Sequence, residues 1–188
     1  MVQMRQRNGL TLIGGINTGR RTTDNCEVVA AAPEIAVASS TPASWCHVKE
    51  KVLTQAKLLT TYTVPRIDVQ VAATIQSSPG VAILATYAAT NAVVAPGLGR
   101  NLSGGAANMT VNLVQPGTLY GPRSNDMQLR LAKLIRAGRT RTTASVDIYN
   151  VFNTNTVLTQ NNTYGASWLQ PQSIPYARWA KLVLQFDF

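Results

Sequence analysis

The side chains that most often carry chemistry are few in this 188-residue sequence and lie far apart. It has one histidine (His47), two cysteines and eight carboxylates. No histidine pair, cysteine cluster or close pair of carboxylates has the spacing of a metal site or of a general acid and base. The glycine-rich segment "GLGRNLSGG" lacks the Lys-Ser/Thr pair of a phosphate-binding loop. We therefore expect no enzyme, no metal and no cofactor. We expect His47 to be an ordinary loop residue, with a ligand contact as the alternative.

The two cysteines, Cys26 and Cys46, lie at the edges of a segment rich in Ala, Pro and Ser, within "DNCEV" and "SWCHV". A disulfide closing this loop would stabilise the fold by about 3 kcal/mol in the chain-entropy model. It would also indicate an oxidising compartment. We expect the pair to be bonded, and two unpaired thiols are the alternative.

Composition separates the chain from ordinary soluble domains. It is 13% charged and 45% hydrophobic, whereas about a quarter of the residues of a soluble domain are charged. The net charge of +9 comes from scattered basic residues without a recognition motif, so we expect no nucleic-acid partner. The N-terminal "MVQMRQRNGL" lacks the apolar segment of a secretion signal. We expect either a protein that stays inside the cell or the tail of a longer chain.

Apolar and polar residues alternate with period two along much of the chain, as in "RIDVQVAATIQ" and "ARWAKLVLQFDF". This pattern is typical of strands with two different faces. The segment "MQLRLAKLIRAG" also fits an amphipathic helix, but its neighbours alternate and we favour a strand. The predicted strands cover residues 8–19, 50–64, 66–77, 125–136, 141–153 and 175–188.

Short and long connections alternate between these strands. The links "TVPRID" and "RAGRTRT" are tight, whereas the connections over about 20–48, 78–124 and 154–174 are long and rich in Gly, Pro, Asn, Ser and Thr. Tight turns on one side and long loops on the other are typical of outer-membrane barrels. The sequence therefore predicts an all-β fold: an antiparallel transmembrane β-barrel fragment of about six strands, with long extracellular loops.

The alternation also predicts which charges avoid lipid. Lys57, Arg130 and Lys181 fall on the lumen face, but Lys133 shares the apolar face and must extend its ammonium to the membrane boundary. Two aromatic girdles are expected. They are Trp168, Tyr176 and Trp179 at the outer end, and Tyr62, Phe186 and Phe188 at the inner end.

The last strand ends on an aromatic residue, in "LVLQFDF". We predict that Leu184, Phe186 and Phe188 form the signal that the barrel-assembly machinery recognises. The alternative is the C-terminal strand of a soluble sandwich.

The segment "TLYGPRSNDMQLRLAKLIRAGRTRTTASVDIYNVFNTNTVLTQNNTYG" and the closing "PYARWAKLVLQFDF" resemble the C-terminal barrel region of TonB-dependent receptors, especially the Oar-like kind with a carboxypeptidase-regulatory-like domain. The specific part is "D-x-Y-N-x-F-N" at Asp147, Tyr149, Asn150, Phe152 and Asn153, followed by "QFDF". The segments "DNC" and "WCHV", which contain the two cysteines on either side of a long loop, also resemble segments of these receptors. The resemblance covers residues 1–188, but only about six of the family's roughly 22 strands are present, and the plug domain and signal peptide are absent.

The resemblance implies a TonB-dependent uptake receptor of the outer membrane. Its partners would be outer-membrane lipid, the barrel-assembly machinery, the plug domain and TonB system of a full-length receptor, and an unknown imported ligand. The alternatives are a secreted all-β adhesion or carbohydrate-binding module and a passive porin-like channel. The expected ligand contacts are the loop residues Tyr87, Asn101, Tyr120, Tyr164 and Trp168. On the lumen face, Asp68, Gln70, Arg130 and Asp147 are expected to pair across strands or to touch the plug.

Overall fold

The structure is a computed structural model that describes residues 1–32, 42–138 and 140–187. These residues form strands connected by loops, with little helix. The strands are β1 (Val2–Arg5), β2 (Leu10–Gly19), β3 (Thr22–Asp24), β4 (His47–Lys49), β5 (Leu53–Val64), β6 (Val69–Ser78), β7 (Thr86–Thr90), β8 (Asn108–Asn112), β9 (Ser124–Ala137), β10 (Thr140–Tyr149), β11 (Thr159–Gln160), β12 (Pro171–Ser173) and β13 (Trp179–Asp187). The α-helices of the described residues are α1 (Cys26–Ala31) and α2 (Asn91–Leu98).

Seven of these strands make one antiparallel sheet in the order β1-β2-β5-β6-β9-β10-β13. Each strand pairs with the next one along the sheet, so the sheet is a meander. The predicted antiparallel all-β class is confirmed. The sheet is not closed, because β1 and β13 are its two edges and do not pair with each other.

Each predicted strand segment overlaps one strand of this sheet. The ambiguous segment is β9, a strand rather than a helix, because β6 and β10 hydrogen-bond to its two edges. The additional strand β1 carries a short alternation, Val-Gln-Met-Arg. It pairs only with residues 11–14 of β2, so residues 15–19 of β2 have an open edge.

The register divides the side chains of the sheet into two faces, because directly opposed residues point to the same side. One row joins Arg130 to Asp147 and Asp147 to Lys181; we call its side the polar face, and it also carries Lys57. The opposite side is the apolar face. It carries Leu12, Leu58, Val71, Ile75, Met127, Leu129, Leu131, Val146, Ile148, Leu182, Leu184 and Phe186.

Polar residues of the apolar face concentrate near its two ends. Thr54, Ser77 and Asn125 lie toward one end, and Lys133 and Thr142 toward the other. Thr60 is a polar residue of this face that lies between them, opposite Leu12 and Ala73. Between the two ends, β9 is apolar on this face from Met127 to Leu131, and Ile135 extends the apolar stretch beyond Lys133. The eight residue steps from Met127 to Ile135 correspond to about 27 Å along an extended strand.

Large apolar side chains of this face remain exposed. Leu182 is 80% exposed, Leu184 66% and Leu131 52%. The buried apolar residues in the described chain are all alanines: Ala73, Ala85, Ala89 and Ala132. The accessible surface is 12759 Å² for 20.2 kDa, against about 8,800 Å² expected for a folded soluble monomer of that mass. A single-layer sheet has no second layer to cover its apolar face.

The connections lie at two ends. The turns at 6–9, at 65–68 and around Gly138 mark the turn end of the sheet. The described segments 20–32, 42–52, 79–123 and 150–178 lie at the opposite, loop end. They contain short ladders of their own: β3 with β4, β7 with β8, and β11 with β12.

Gly80 is the position where the second long loop leaves no room for a side chain. A Cβ built there would lie 2.3 Å from the carbonyl oxygens of Gly121 and Pro122. We expect Gly80→Ala to lower the free energy of unfolding by about 1 to 3 kcal/mol, as overpacking does. Denaturant titration of the folded chain would measure it. The control is Gly19→Ala, where a Cβ meets nothing within 4 Å; equal midpoints for the two variants would contradict this packing.

Candidate functional site

The long segments of the loop end are bonded to one another. The Lys51 amide donates to the Gly117 carbonyl at 2.9 Å, which joins the first loop to the second. The Thr86 amide donates to the Asn162 carbonyl and the Tyr164 amide to the Thr86 carbonyl, each at 2.8 Å, which joins the second loop to the third. The three loops therefore form one connected surface, and it is the candidate binding site.

Three of the predicted ligand residues lie at the junction of the second and third loops. The rings of Tyr164 and Trp168 are tilted against each other with centroids 5.7 Å apart. The Trp168 indole donates to the Leu84 carbonyl at 2.9 Å, which fixes the ring across the two loops. Tyr87 follows Thr86, the residue bonded to both Asn162 and Tyr164. These aromatic rings have the combination of contact area and polar tips that ligand sites use.

The other two predicted ligand residues lie elsewhere in the second loop. Tyr120 forms a bridge with Ala82, and burial, together with the nearby Glu50 carboxylate, raises the pKa of its phenol. The carbonyl of Asn101, an exposed residue, accepts from the Arg100 guanidinium at 3.3 Å. Within the described residues, neither forms a hydrogen bond or an aromatic contact with the Tyr164 and Trp168 pair.

The first loop is closed by a disulfide between Cys26 and Cys46. Next to it, β3 and β4 pair, with Asp24 directly opposite His47. The Asp24 carboxylate lies 2.9 Å from His47 Nδ1 and accepts from the Cys26 amide at 3.1 Å. The hydrogen bond to His47, followed by that to Cys26, lowers the pKa of Asp24. His47 is thus part of the structure that holds the disulfide loop.

A cavity of about 200 Å³ lies between the first and second loops. Its lining includes Cys46 of the disulfide, and sequence reasoning missed its other members. Arg21, Trp45, Val48, Glu50 and Pro116 are among them. The only signal in the sequence was Trp45 beside Cys46, because the cavity brings Trp45 and Pro116, about seventy positions apart, to one lining. A guanidinium, a carboxylate and an indole around one small cavity could bind a polar group of a ligand.

The motif "D-x-Y-N-x-F-N" shapes the start of the third loop. Asn150, buried and at a φ of 49°, donates to the carbonyls of Thr154 and Tyr176. Its amide oxygen accepts from the Thr154 backbone at 2.8 Å, and Asn153 accepts from the Arg178 amide at 2.9 Å. These side chains tie the loop back to the chain that enters β13.

A row of alternating charge crosses the polar face. Asp147 lies between Arg130 and Lys181, with Arg130 Nη1 3.6 Å from one carboxylate oxygen. The other oxygen of Asp147 and the hydroxyl of Ser145 are buried without a hydrogen-bond partner among the described residues. Arg136 pairs with Asp68 at 3.4 Å. Gln70, also predicted to face the lumen, donates to the Thr63 hydroxyl of the opposed strand position at 3.5 Å.

The predicted assembly residues Leu184 and Phe186 lie on the apolar face and are exposed, Phe186 by 56%. Phe188 lies outside the described residues.

The aromatic girdle needs one correction: Trp179 stacks on Tyr149 with ring centroids 4.2 Å apart. Trp179 has the same parity as Lys181 and so lies on the polar face, whereas a girdle faces lipid.

Comparison with known protein families, characterised proteins and solved structures found no match to this chain. The described residues contain no cluster of three or more His, Cys, Asp or Glu side chains that could hold a metal ion. No helix in the described ranges is long and apolar enough to cross a membrane.

The Asp24 and His47 contact predicts a pH dependence of the first loop. The pKa of Asp24 is lowered in the folded state. Its contacts therefore stabilise the loop at pH values above about 3.9, the ordinary pKa of an aspartate. That stabilisation is lost as the pH falls through the folded pKa. A ¹³C titration of the Asp24 carboxyl should show a midpoint below its ordinary value.

The matched variants test the cause of this shift. His47→Ala should move the Asp24 midpoint up toward the ordinary value, because the largest cause is removed. Lys49→Ala, on the same short strand, should leave the midpoint unchanged. An unshifted midpoint in the unmodified chain, or equal midpoints in all three proteins, would show that the contact is absent.

Proposed function

We propose that this chain is the C-terminal wall of an outer-membrane uptake receptor of the TonB-dependent kind, with its apolar face toward lipid and its loop end toward the ligand. The observation that carries the proposal is the apolar face itself. It extends across seven strands, remains exposed, and lies back to back with a face of charged and amide side chains. Soluble monomers rarely expose contiguous apolar patches beyond a few hundred Å².

The dimensions support a lipid environment. Met127 and Ile135, with Lys133 between them on the same face, are about 27 Å apart along β9. At a tilt of about 40° this corresponds to a height of about 21 Å, against an apolar band about 25 Å tall in outer-membrane barrels. Polar residues appear on the apolar face near the two ends, where headgroups and water begin. Tyr62 and Phe186 lie on this face toward the turn end, where interfacial aromatics are favoured.

The open edges support a larger barrel. Backbone groups at a sheet edge cannot remain unpaired in hydrocarbon. The edge of β2 beyond residue 14 and the outer edge of β13 both lack a partner strand in the described chain. The proposed wall therefore needs further strands on both sides, as a barrel of about 22 strands would provide.

The loop end supports ligand binding. The aromatic junction of Tyr164 and Trp168 and the cavity beside Glu50 lie on loops that are mutually hydrogen-bonded. A surface fixed in this way loses little conformational entropy when it binds a ligand. The ligand class itself follows from no described contact, and a metal chelate, a glycan and a peptide all fit the proposal.

Lipid exposure of the apolar face can be tested on two adjacent residues of β13. Leu182 lies on the apolar face and Val183 on the polar face. We expect a fluorophore attached at Leu182→Cys to be quenched by brominated acyl chains when the chain is folded in vesicles as part of the complete barrel. The same fluorophore at Val183→Cys should be quenched by aqueous iodide instead. The native cysteines are bonded and do not react.

The two labelled variants differ only in the face that they probe, since both replace an aliphatic side chain. Iodide quenching at both positions would place both faces in water and contradict the membrane wall. A monodisperse protein that unfolds in two states without detergent would favour the secreted adhesion or carbohydrate-binding module.

The receptor part of the proposal predicts what the gene encodes upstream of Met1. We expect the same reading frame to encode further strands, a plug domain and a secretion signal. Sequencing the DNA before the Met1 codon would check this. Further strands without a plug would favour the passive porin-like channel, and a promoter and stop codon there would contradict the receptor.

A further inference from the structure

Basic side chains gather at the turn end of the sheet. Six of them lie in or beside its turns, against two carboxylates, Asp68 and Asp187, among the described residues there. The six are Arg5, Arg7, Arg66, Lys133, Arg136 and Arg141. Arg136 lies directly across from Arg141 on the polar face, with Asp68 paired to Arg136 and Asp187 opposite Arg141.

Lys133 is the cation of this group that belongs to the apolar face. It is exposed, and its ammonium donates to the Ile67 carbonyl in the turn between β5 and β6. Thr142 lies on the same face, diagonally across from Lys133 on the neighbouring strand. An ammonium and a hydroxyl thus lie at the edge of an apolar surface, which is the place of lipid phosphates in a membrane.

Arg66 lies in the same turn, directly before Ile67, whose carbonyl accepts from Lys133. The Leu134 amide donates to the Asp68 carbonyl at 3.0 Å, and Arg136 pairs with the Asp68 carboxylate. These contacts fix the turn against β9. Arg66 itself is exposed, makes no ion pair among the described residues, and has a φ of 74°. That backbone conformation favours glycine, so Arg66 carries a long side chain at a position that does not favour one.

From this arrangement we propose a binding site for the phosphate of an anionic phospholipid at the turn end of the apolar face. Lys133 and Arg66 supply the charge, and Thr142 supplies a hydroxyl donor. The acyl chains would lie along the apolar face beside Leu131 and Leu129, on the side of Lys133 away from the turns. The inference rests on the proposed function, since it needs the apolar face to lie in lipid.

The described cations beside the apolar face at the loop end are bound more fully by the chain. There, Arg123 donates to the Ser77 hydroxyl and to the Thr54 carbonyl, and Arg100 donates to the Ser103 hydroxyl and the Asn101 carbonyl. Lys133 makes one such hydrogen bond, and Arg66 makes no ion pair among the described residues. The other basic residues of that end are distributed through long loops that also carry Asp24, Glu27 and Glu50.

The test is partition of the complete barrel that contains this chain, because the open sheet edges need partner strands. The barrel is partitioned between water and vesicles of phosphatidylcholine, with or without phosphatidylglycerol. A cation near an anionic membrane surface contributes about 1 kcal/mol, or roughly fivefold in partition. We therefore expect the double variant Arg66→Gln with Lys133→Gln to lose about 25-fold of the preference for phosphatidylglycerol. The control, Arg20→Gln with Lys49→Gln, removes the same charge at the loop end and should lose far less.

Arg66→Gly provides a second variant that cannot fail through backbone strain, because glycine relaxes the turn. It should lose about fivefold of the preference. Equal losses of the phosphatidylglycerol preference in the turn-end and loop-end variants would overturn the phosphate site. Insertion of those variants into phosphatidylcholine would at the same time support the membrane wall. Loss of the preference on adding inorganic phosphate would also overturn it, in favour of a free-anion site. Failure to insert into either vesicle would refute both proposals.

Discussion

The fold depends on one constraint: a single-layer sheet presents every second side chain to the same surroundings. In β9 this places Leu129 and Leu131 on one side and Gln128 and Arg130 on the other. The pairing of seven strands in register extends both faces across the sheet. The apolar face then has no partner within the described chain, and the low charge content, the large accessible surface and the all-alanine core follow from that arrangement.

The loops are stabilised differently from the sheet, because they have no hydrophobic core of large side chains among the described residues. They are held by short ladders, by backbone bonds between loops, and by side-chain amides such as Asn150 and Asn162. The small buried residues Ala85 and Ala89 let these segments approach closely. Rigidity at the loop end therefore comes from hydrogen bonds and from one disulfide, and it does not require burial of large side chains.

Period-two patterning was sufficient to predict the sheet and the faces of Lys57, Arg130, Lys181 and Lys133, because the face follows from parity once the strands pair. It missed β1, since four residues of alternation are too short a signal. The ladder of β7 with β8 and the cavity beside Trp45 depend on contacts between distant residues, which no local pattern encodes. Trp179 was assigned to a girdle from its position near a strand end, although its parity with Lys181 already placed it on the other face.

The proposed membrane wall and a soluble sandwich make different energetic demands on the polar face. In a sandwich the apolar face would be buried and the polar face would be hydrated. Here Leu182 is 80% exposed while Asp147 is only 8% exposed, with one carboxylate oxygen lacking a partner among the described residues. Burying a polar group without a hydrogen bond costs about 1 to 3 kcal/mol. A further polar surface seated on the row of Arg130, Asp147 and Lys181 would remove that cost, as lipid would cover the opposite face. The two faces together favour a wall between lipid and a polar interior.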